Sequence, residues 1–269
     1  MLTSKIINKL TFVLLLGITF SLIGCANKNK DQYADWTAQD LYEKAAKMVK
    51  RDQNTEAIKI YEALDSHYPF GAYTEQAHLD VIFAYYEESE MAAAMNAADR
   101  FIQMHPRSPN LDYAYYMRGL IKFHENIGFL ESKLLLDPSY RQTTTDRESF
   151  GYFSQLVNRF PESPYSTDAR QRMIYLRNHL AKSELNTAYW YIRRKAYLAA
   201  ANRARYVVEH FEHSTAVPDA LAVMAYCYNK LSLPVLADNA ELILHTNFPE
   251  NRALEKLNHY NDFHLFGFL

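Results

Sequence analysis

Along most of the chain, apolar residues recur three and four positions apart, the spacing that gathers them on one face of an α-helix. Leu41, Ala45, Met48 and Val49 form the first such face. Thr37, a residue type that accepts a hydrogen bond from the first helical turn, stands before it as a cap. Ala57, Ile58, Tyr61 and Leu64 form a second face, with Asn54 in the capping position. Period-two alternation is scarce, and only seven glycines occur in 269 residues. Both features point to an all-helical chain.

A longer period lies over the helical one. Tyr68-Pro69, His105-Pro106, Phe160-Pro161 and Phe248-Pro249 are near-copies, and Phe211-Glu212 is a version that has lost its proline. Twelve residues before the second position of each pair stand Ala57, Ala94, Ser149, Ala200 and Ala237, all small. Five before stand Leu64, Phe101, Leu156, Val207 and Leu244, all apolar, and eight after the first four stand Ala77, Ala114, Ala169 and Ala220. Small residues let two helix backbones approach closely, and the proline ends the second helix of a pair. A two-helix unit of about 34 residues with this register resembles the tetratricopeptide pattern. The expected fold is all-α: a right-handed superhelical solenoid of about five such hairpins, each burying its apolar face against the next.

The register also predicts where the units depart from regularity. The anchors lie 37, 55, 51 and 37 residues apart, giving units of about 37–70, 73–107, 110–162, 165–213 and 217–249 within a solenoid spanning 37–250. Ser89 falls at the internal turn of the second unit. The third unit reads as helix from Asn110 to about Ile127, then carries an insertion over 128–144 that contains Leu134, Leu135, Leu136, Asp137 and Pro138. The fourth follows Ser163-Pro164, and its first helix is extended from Thr167 through Leu180 toward Arg194. The fifth ends at Phe248, and residues 251–269 form a tail whose last part, from Phe263 to Leu269, is apolar.

The first 24 residues read as a leader outside the fold. Lys5 and Lys9 give a positive start, and Leu10 to Ile23 is an apolar run too short to span a bilayer stably. It ends in Leu22-Ile23-Gly24-Cys25, which resembles a bacterial lipoprotein signal. That resemblance implies cleavage before Cys25, a lipid on its thiol and acylation of the new amino group. A plain secretory leader is the alternative, and it does not account for the four-residue match at this distance. Ala26 in place of an aspartate implies sorting to the outer membrane. Residues 25–36 then read as a polar tether. No cofactor is expected beyond the covalent lipid on Cys25. With Cys25 acylated, only Cys227 remains, expected as a small buried residue.

Six stretches carry a more specific resemblance: Tyr61-Glu62-Ala63-Leu64-Asp65, Tyr68-Pro69-Phe70-Gly71, Ala84-Tyr85-Tyr86, Asp99-Arg100-Phe101-Ile102, Pro109-Asn110-Leu111-Asp112-Tyr113 and Tyr116-Met117-Arg118-Gly119. They closely resemble the BamD family, the tetratricopeptide lipoproteins of the β-barrel assembly machinery of Gram-negative outer membranes. The resemblance covers most of the chain after Cys25 and is densest from about residue 55 to 120. It implies a scaffold lipid-anchored in the outer membrane and facing the periplasm. Such a scaffold binds the barrel assembly protein through its polypeptide-transport-associated domains, carries other assembly lipoproteins and receives unfolded barrel substrates.

Composition and motifs add mostly exclusions. A net charge of −2 offers no case for nucleic acid. No glycine pattern matches a phosphate or dinucleotide loop. His124-Glu125 lacks the second histidine of a zinc protease, because Gly128 stands there. His210 and His213 are expected to mark a turn, not a metal site. The pairs Glu88-Ser89, Glu131-Ser132 and Glu162-Ser163 sit at turns, where both residue types are common. The sequence therefore reads as that of a binding protein, not an enzyme. Two surfaces are candidates: Tyr85 and Tyr86 for an extended substrate segment, and Arg193, Arg194, Lys195, Arg203 and Arg205 for an acidic partner. The lipobox and repeats alone would also suit a periplasmic tetratricopeptide scaffold for cell-wall enzymes.

Overall fold

The structure, a computed structural model, describes residues 32–126 and 143–259. Within them lie five antiparallel helix pairs and a short final helix. The pairs are α1 (Ala38–Val49) with α2 (Asn54–His67), α3 (Ala72–Glu87) with α4 (Met91–Met104), and α5 (Leu111–Asn126) with α6 (Thr144–Arg159). They continue with α7 (Pro164–Arg193) and α8 (Tyr197–His210), then α9 (Val217–Lys230) and α10 (Pro234–Asn247), before α11 (Ala253–His259). The described residues contain no strand. The leader, Cys25, residues 127–142 and the apolar end of the tail lie outside the described residues; the insertion expected over 128–144 falls there except for its last two positions, and Thr144 already begins α6.

The small and apolar columns are the packing surface. Ala57, Ala94, Ser149, Ala200 and Ala237 are fully buried, as are Leu64, Phe101, Leu156, Val207 and Leu244. All five second helices end alike: the residue before each anchor has φ between −121° and −137° and ψ between 43° and 70°. Phe211 adopts this conformation although no proline follows it. Proline therefore reinforces a stop that the local packing already sets. Thr74 and Ser166, five residues after their anchors, donate hydroxyl hydrogen bonds back to the carbonyls of Tyr68 and Phe160.

Inside four of the pairs the turn is also shared. Asp52, Ser89, Lys195 and Ser232 all sit at φ near 60°. The next residue in each case donates its N–H to a carbonyl five positions back, as Gln53 does to Met48 and Ala196 to Tyr191. This closed turn needs no side-chain cap. Asn54 accordingly does not cap α2: it is the first helical residue, it is buried, and its Oδ1 accepts no hydrogen bond. Thr37 does cap α1, in a reciprocal box with Asp40.

The first helices of successive pairs pack against one another in series, α1 on α3, α3 on α5, α5 on α7 and α7 on α9, whereas the second helices make no comparable contacts among themselves. The first helices thus line the inner side of the curve and the second helices its outer side. Three core clusters follow one another along the stack. The 30-residue α7 contributes Ala169 and Leu176 to the middle one and Leu180 to Ile192 to the last. At roughly 45 Å it is the spine joining the two halves. Two stretches expected to be irregular are ordered: Tyr33 and Trp36 pack on the first core, and α11, within the expected tail, packs on α9.

Candidate binding surfaces

The inner groove begins where α1, α3 and α5 stand side by side. Tyr42 and Lys47 of α1, Lys50 just after it, Asp80 and Phe83 of α3, and Tyr113 of α5 line an open recess of about 660 Å³ there. Phe83 is exposed. Asp80 lies at the bottom, where Oδ2 accepts hydrogen bonds from the hydroxyls of Tyr42 (2.9 Å) and Tyr61 (3.5 Å) and Oδ1 from the amide of Gln76 (2.8 Å). Burial outweighs these bonds and holds the Asp80 carboxyl above the usual range. Burial, with the Asp80 charge nearby, pushes the Tyr42 phenol up to about 12 and raises Tyr61 as well. The recess thus combines aromatic faces, two lysines, Glu43 and an Asp80 carboxylate held only by neutral donors, an arrangement suited to apolar side chains and N–H groups of an extended chain.

Further along the same side, Tyr116 stacks on Tyr165 at 5.0 Å and donates to Asp168 (2.8 Å). Arg172 donates to the same carboxylate at 2.6 Å and lies over the Phe123 ring at 4.8 Å. These side chains bind one another first, so this stretch of wall is preorganised and largely self-satisfied.

Tyr85 and Tyr86 do not rim this groove. Tyr86 is 8 % exposed in the middle core, with its hydroxyl against the His124 ring. Tyr85 turns to the outer side, where its hydroxyl donates to Glu62 at 2.6 Å. There it lines a separate recess of about 300 Å³ between α2, α3 and α4, together with Asp65, His78, Asn96 and Arg100. The reason lies in α3, which buries Thr74, Ala77, His78, Leu79, Ile82, Ala84 and Tyr86. A helix packed nearly all round has no single apolar stripe from which to read its free face. Asp80 and Phe83 escaped the sequence for the same reason.

On this outer side polar groups form a continuous chain. Arg100 and His78 both donate to Asp65, at 2.6 Å and 2.7 Å, and His78 shares its other nitrogen with His105 at 3.0 Å. Burial pushes Asp65 up, but the bonds from His78 and Arg100 outweigh it and leave the carboxyl below its usual range. Burial also lowers His105, helped by the His78 and Arg100 charges against the opposing pull of Glu75.

The five basic residues of the fourth unit divide. Arg203 donates to Glu184 at 3.0 Å, and Arg147 reaches the same carboxylate at 3.0 Å, so Arg203 is tied into an intramolecular bridge between α6, α7 and α8. Arg205, two positions further and on the other side of α8, lies 3.8 Å from Glu209. Arg193, Arg194 and Lys195 are exposed around the α7–α8 turn. Arg194 lies over the half-open ring of Trp190 at 4.1 Å, and Leu198 stands exposed nearby in the chain. This Arg–Trp pair has the composition of an interface anchor.

Among the described residues no group of His, Cys, Asp or Glu is arranged to hold a metal, and no helix is long and apolar enough to cross a membrane. Cys227 is fully buried, and burial pushes its thiol up to about 12.

Comparison with known proteins adds the family. A model of the YfiO outer membrane lipoproteins matches residues 34–242. Outer membrane protein assembly factor BamD of Neisseria meningitidis serogroup B is 37% identical over 92% of this chain and 94% of its own length. The proteins of the same name from Xylella fastidiosa (36%, over 88% and 82%) and Haemophilus influenzae (34%, over 93% and 95%) are similar along the same span. The five-hairpin solenoid, its register and these matches agree: the chain belongs to the BamD family of outer membrane protein assembly factors.

Proposed function

We propose that this chain is a periplasm-facing scaffold of the β-barrel assembly machinery, anchored to the outer membrane by a lipid on Cys25. Its inner groove receives an extended segment of an unfolded barrel protein. The α7–α8 turn, with Arg193, Arg194 and Trp190, binds a folded acidic domain of the barrel assembly protein, one of its polypeptide-transport-associated domains. Other assembly lipoproteins attach to the same scaffold. The observation that carries the reading is the open recess at Tyr42, Asp80, Phe83 and Tyr113. A barrel strand alternates apolar and polar side chains, so it offers rings to Phe83 and Tyr113 and backbone N–H groups to Asp80. A preformed groove reduces the ordering cost of holding such a strand.

Purification of the full chain from mild detergent tests this. A β-barrel partner should co-elute, and less of it with Arg194→Glu, because the charge contribution reverses. Co-elution of cell-wall enzymes without a barrel partner would overturn the proposal.

A further inference from the structure

The turn between the first two hairpins differs from its four counterparts. The residue after the anchor is Arg107, Glu162, His213 or Glu250 elsewhere, but Phe70 here. Its ring is 88 % exposed, the most open of the large apolar side chains among the described residues. The turn that presents it is fixed: Pro69 precedes it, Gly71 follows at φ 130°, a backbone conformation left to glycine, and the Thr74 hydroxyl closes the turn onto the Tyr68 carbonyl. Tyr68 and Tyr73 stand exposed on either side. The Tyr68 hydroxyl donates to the Trp36 carbonyl at 2.8 Å, and the Trp36 ring meets Tyr33 edge to face at 5.8 Å. An aromatic cluster therefore surrounds the point where the folded chain begins, and the hairpin packs without using Phe70.

We propose that this cluster, with Phe70 at its tip, is a membrane-docking point seated in the headgroup layer of the leaflet that holds the Cys25 lipid. It rests on the lipid anchor proposed above. Gln32 is the seventh residue after Cys25, so the fold begins within about 25 Å of the acylated residue. Tyrosine and tryptophan favour the membrane–water interface, where the ring is apolar and the polar edge stays wet. A contact of this size would not hold a free protein on a bilayer. On a short tether it acts at an effective concentration on the order of millimolar, which is enough to orient a solenoid already anchored.

The test uses the lipidated full chain carrying Trp190→Phe, which leaves Trp36 as its one tryptophan. The protein is placed in phosphatidylethanolamine–phosphatidylglycerol vesicles with plain or brominated acyl chains. Flotation reports the anchor, and quenching of Trp36 by the bromines reports docking. Quenching that is lost on Phe70→Ser, with both proteins floating, is the expected result. Floating protein whose Trp36 emission is the same in both vesicles would overturn the proposal. Failure to float would count against the lipid anchor alone. Coupling Cys25 to a maleimide lipid then restores the tether, and the same quenching comparison decides. A photoreactive residue at position 70 that crosslinks in cells to a protein and not to lipid would also contradict docking.

Discussion

Single side chains decide the local pH response. His105 closes the outer chain of polar groups, and burial and neighbouring positive charges lower its affinity for a proton. In the unfolded chain the same imidazole takes up a proton near pH 6.5, so below that value the unfolded state binds more protons and folding weakens. His124, lowered by burial and by Arg172, acts in the same direction. We expect the melting temperature to fall between pH 7 and pH 5, and His105→Gln to flatten part of that slope. An unchanged slope would show that the His78–His105 contact carries none of it. The same scale shows what a sequence hides. Tyr85 and Tyr86 are adjacent and alike in composition, yet one hydroxyl meets Glu62 outside and the other meets His124 within the core. Arg203 likewise looks like part of a basic patch until Glu184 is placed beside it, buried to 13 % side-chain exposure between two arginines. Arg203→Glu should therefore lower the melting temperature, whereas Arg194→Glu should leave it unchanged and reduce partner binding.

At the scale of elements, the closed turn and the close helix pair each offer a clean test. Lys195 occupies a left-handed backbone conformation at φ 58°, which costs an L-residue about 1–2 kcal/mol. Glycine removes that cost but adds backbone entropy to the unfolded chain, about 0.5–1 kcal/mol. Lys195→Gly should thus stabilise by roughly 0.5–1 kcal/mol, read as a higher melting temperature. Gly119 works the other way. A Cβ there would lie 2.5 Å from the ring of Phe153, which is fully buried and cannot yield. Alanine would gain about 1 kcal/mol of helix propensity, but overpacking costs about 1–3 kcal/mol. Gly119→Ala should come out neutral to destabilising, with a lowered unfolding midpoint in urea if the clash exceeds the propensity gain. Both elements were legible in part. Ser89 was readable as a turn because its unit has the basic length, and the extended α7 followed from a spacing 14 residues longer than the first. Gly119 gave no signal, since a glycine within a helical pattern does not say which ring approaches it.

Over the whole molecule, the repeat register was legible because stacking imposes the same small and apolar positions on every unit. The inner face was not, because its residues are free of that repetition. Tyr42, Asp80, Phe83 and Tyr113 occupy no shared column, and only the curvature of the stack brings them to one recess. The curvature also gives a sharp prediction about α3. Phe83 and Tyr85 are two residues apart, about 200° around the helix, so one faces the groove and the other the outer recess. Photoreactive residues at positions 83 and 85 can then be offered an unfolded β-barrel polypeptide in the same preparation. The groove reading requires strong crosslinking from position 83, reduced by Tyr113→Ala, and little from position 85. Crosslinking from position 85 that equals or exceeds that from position 83 would contradict it.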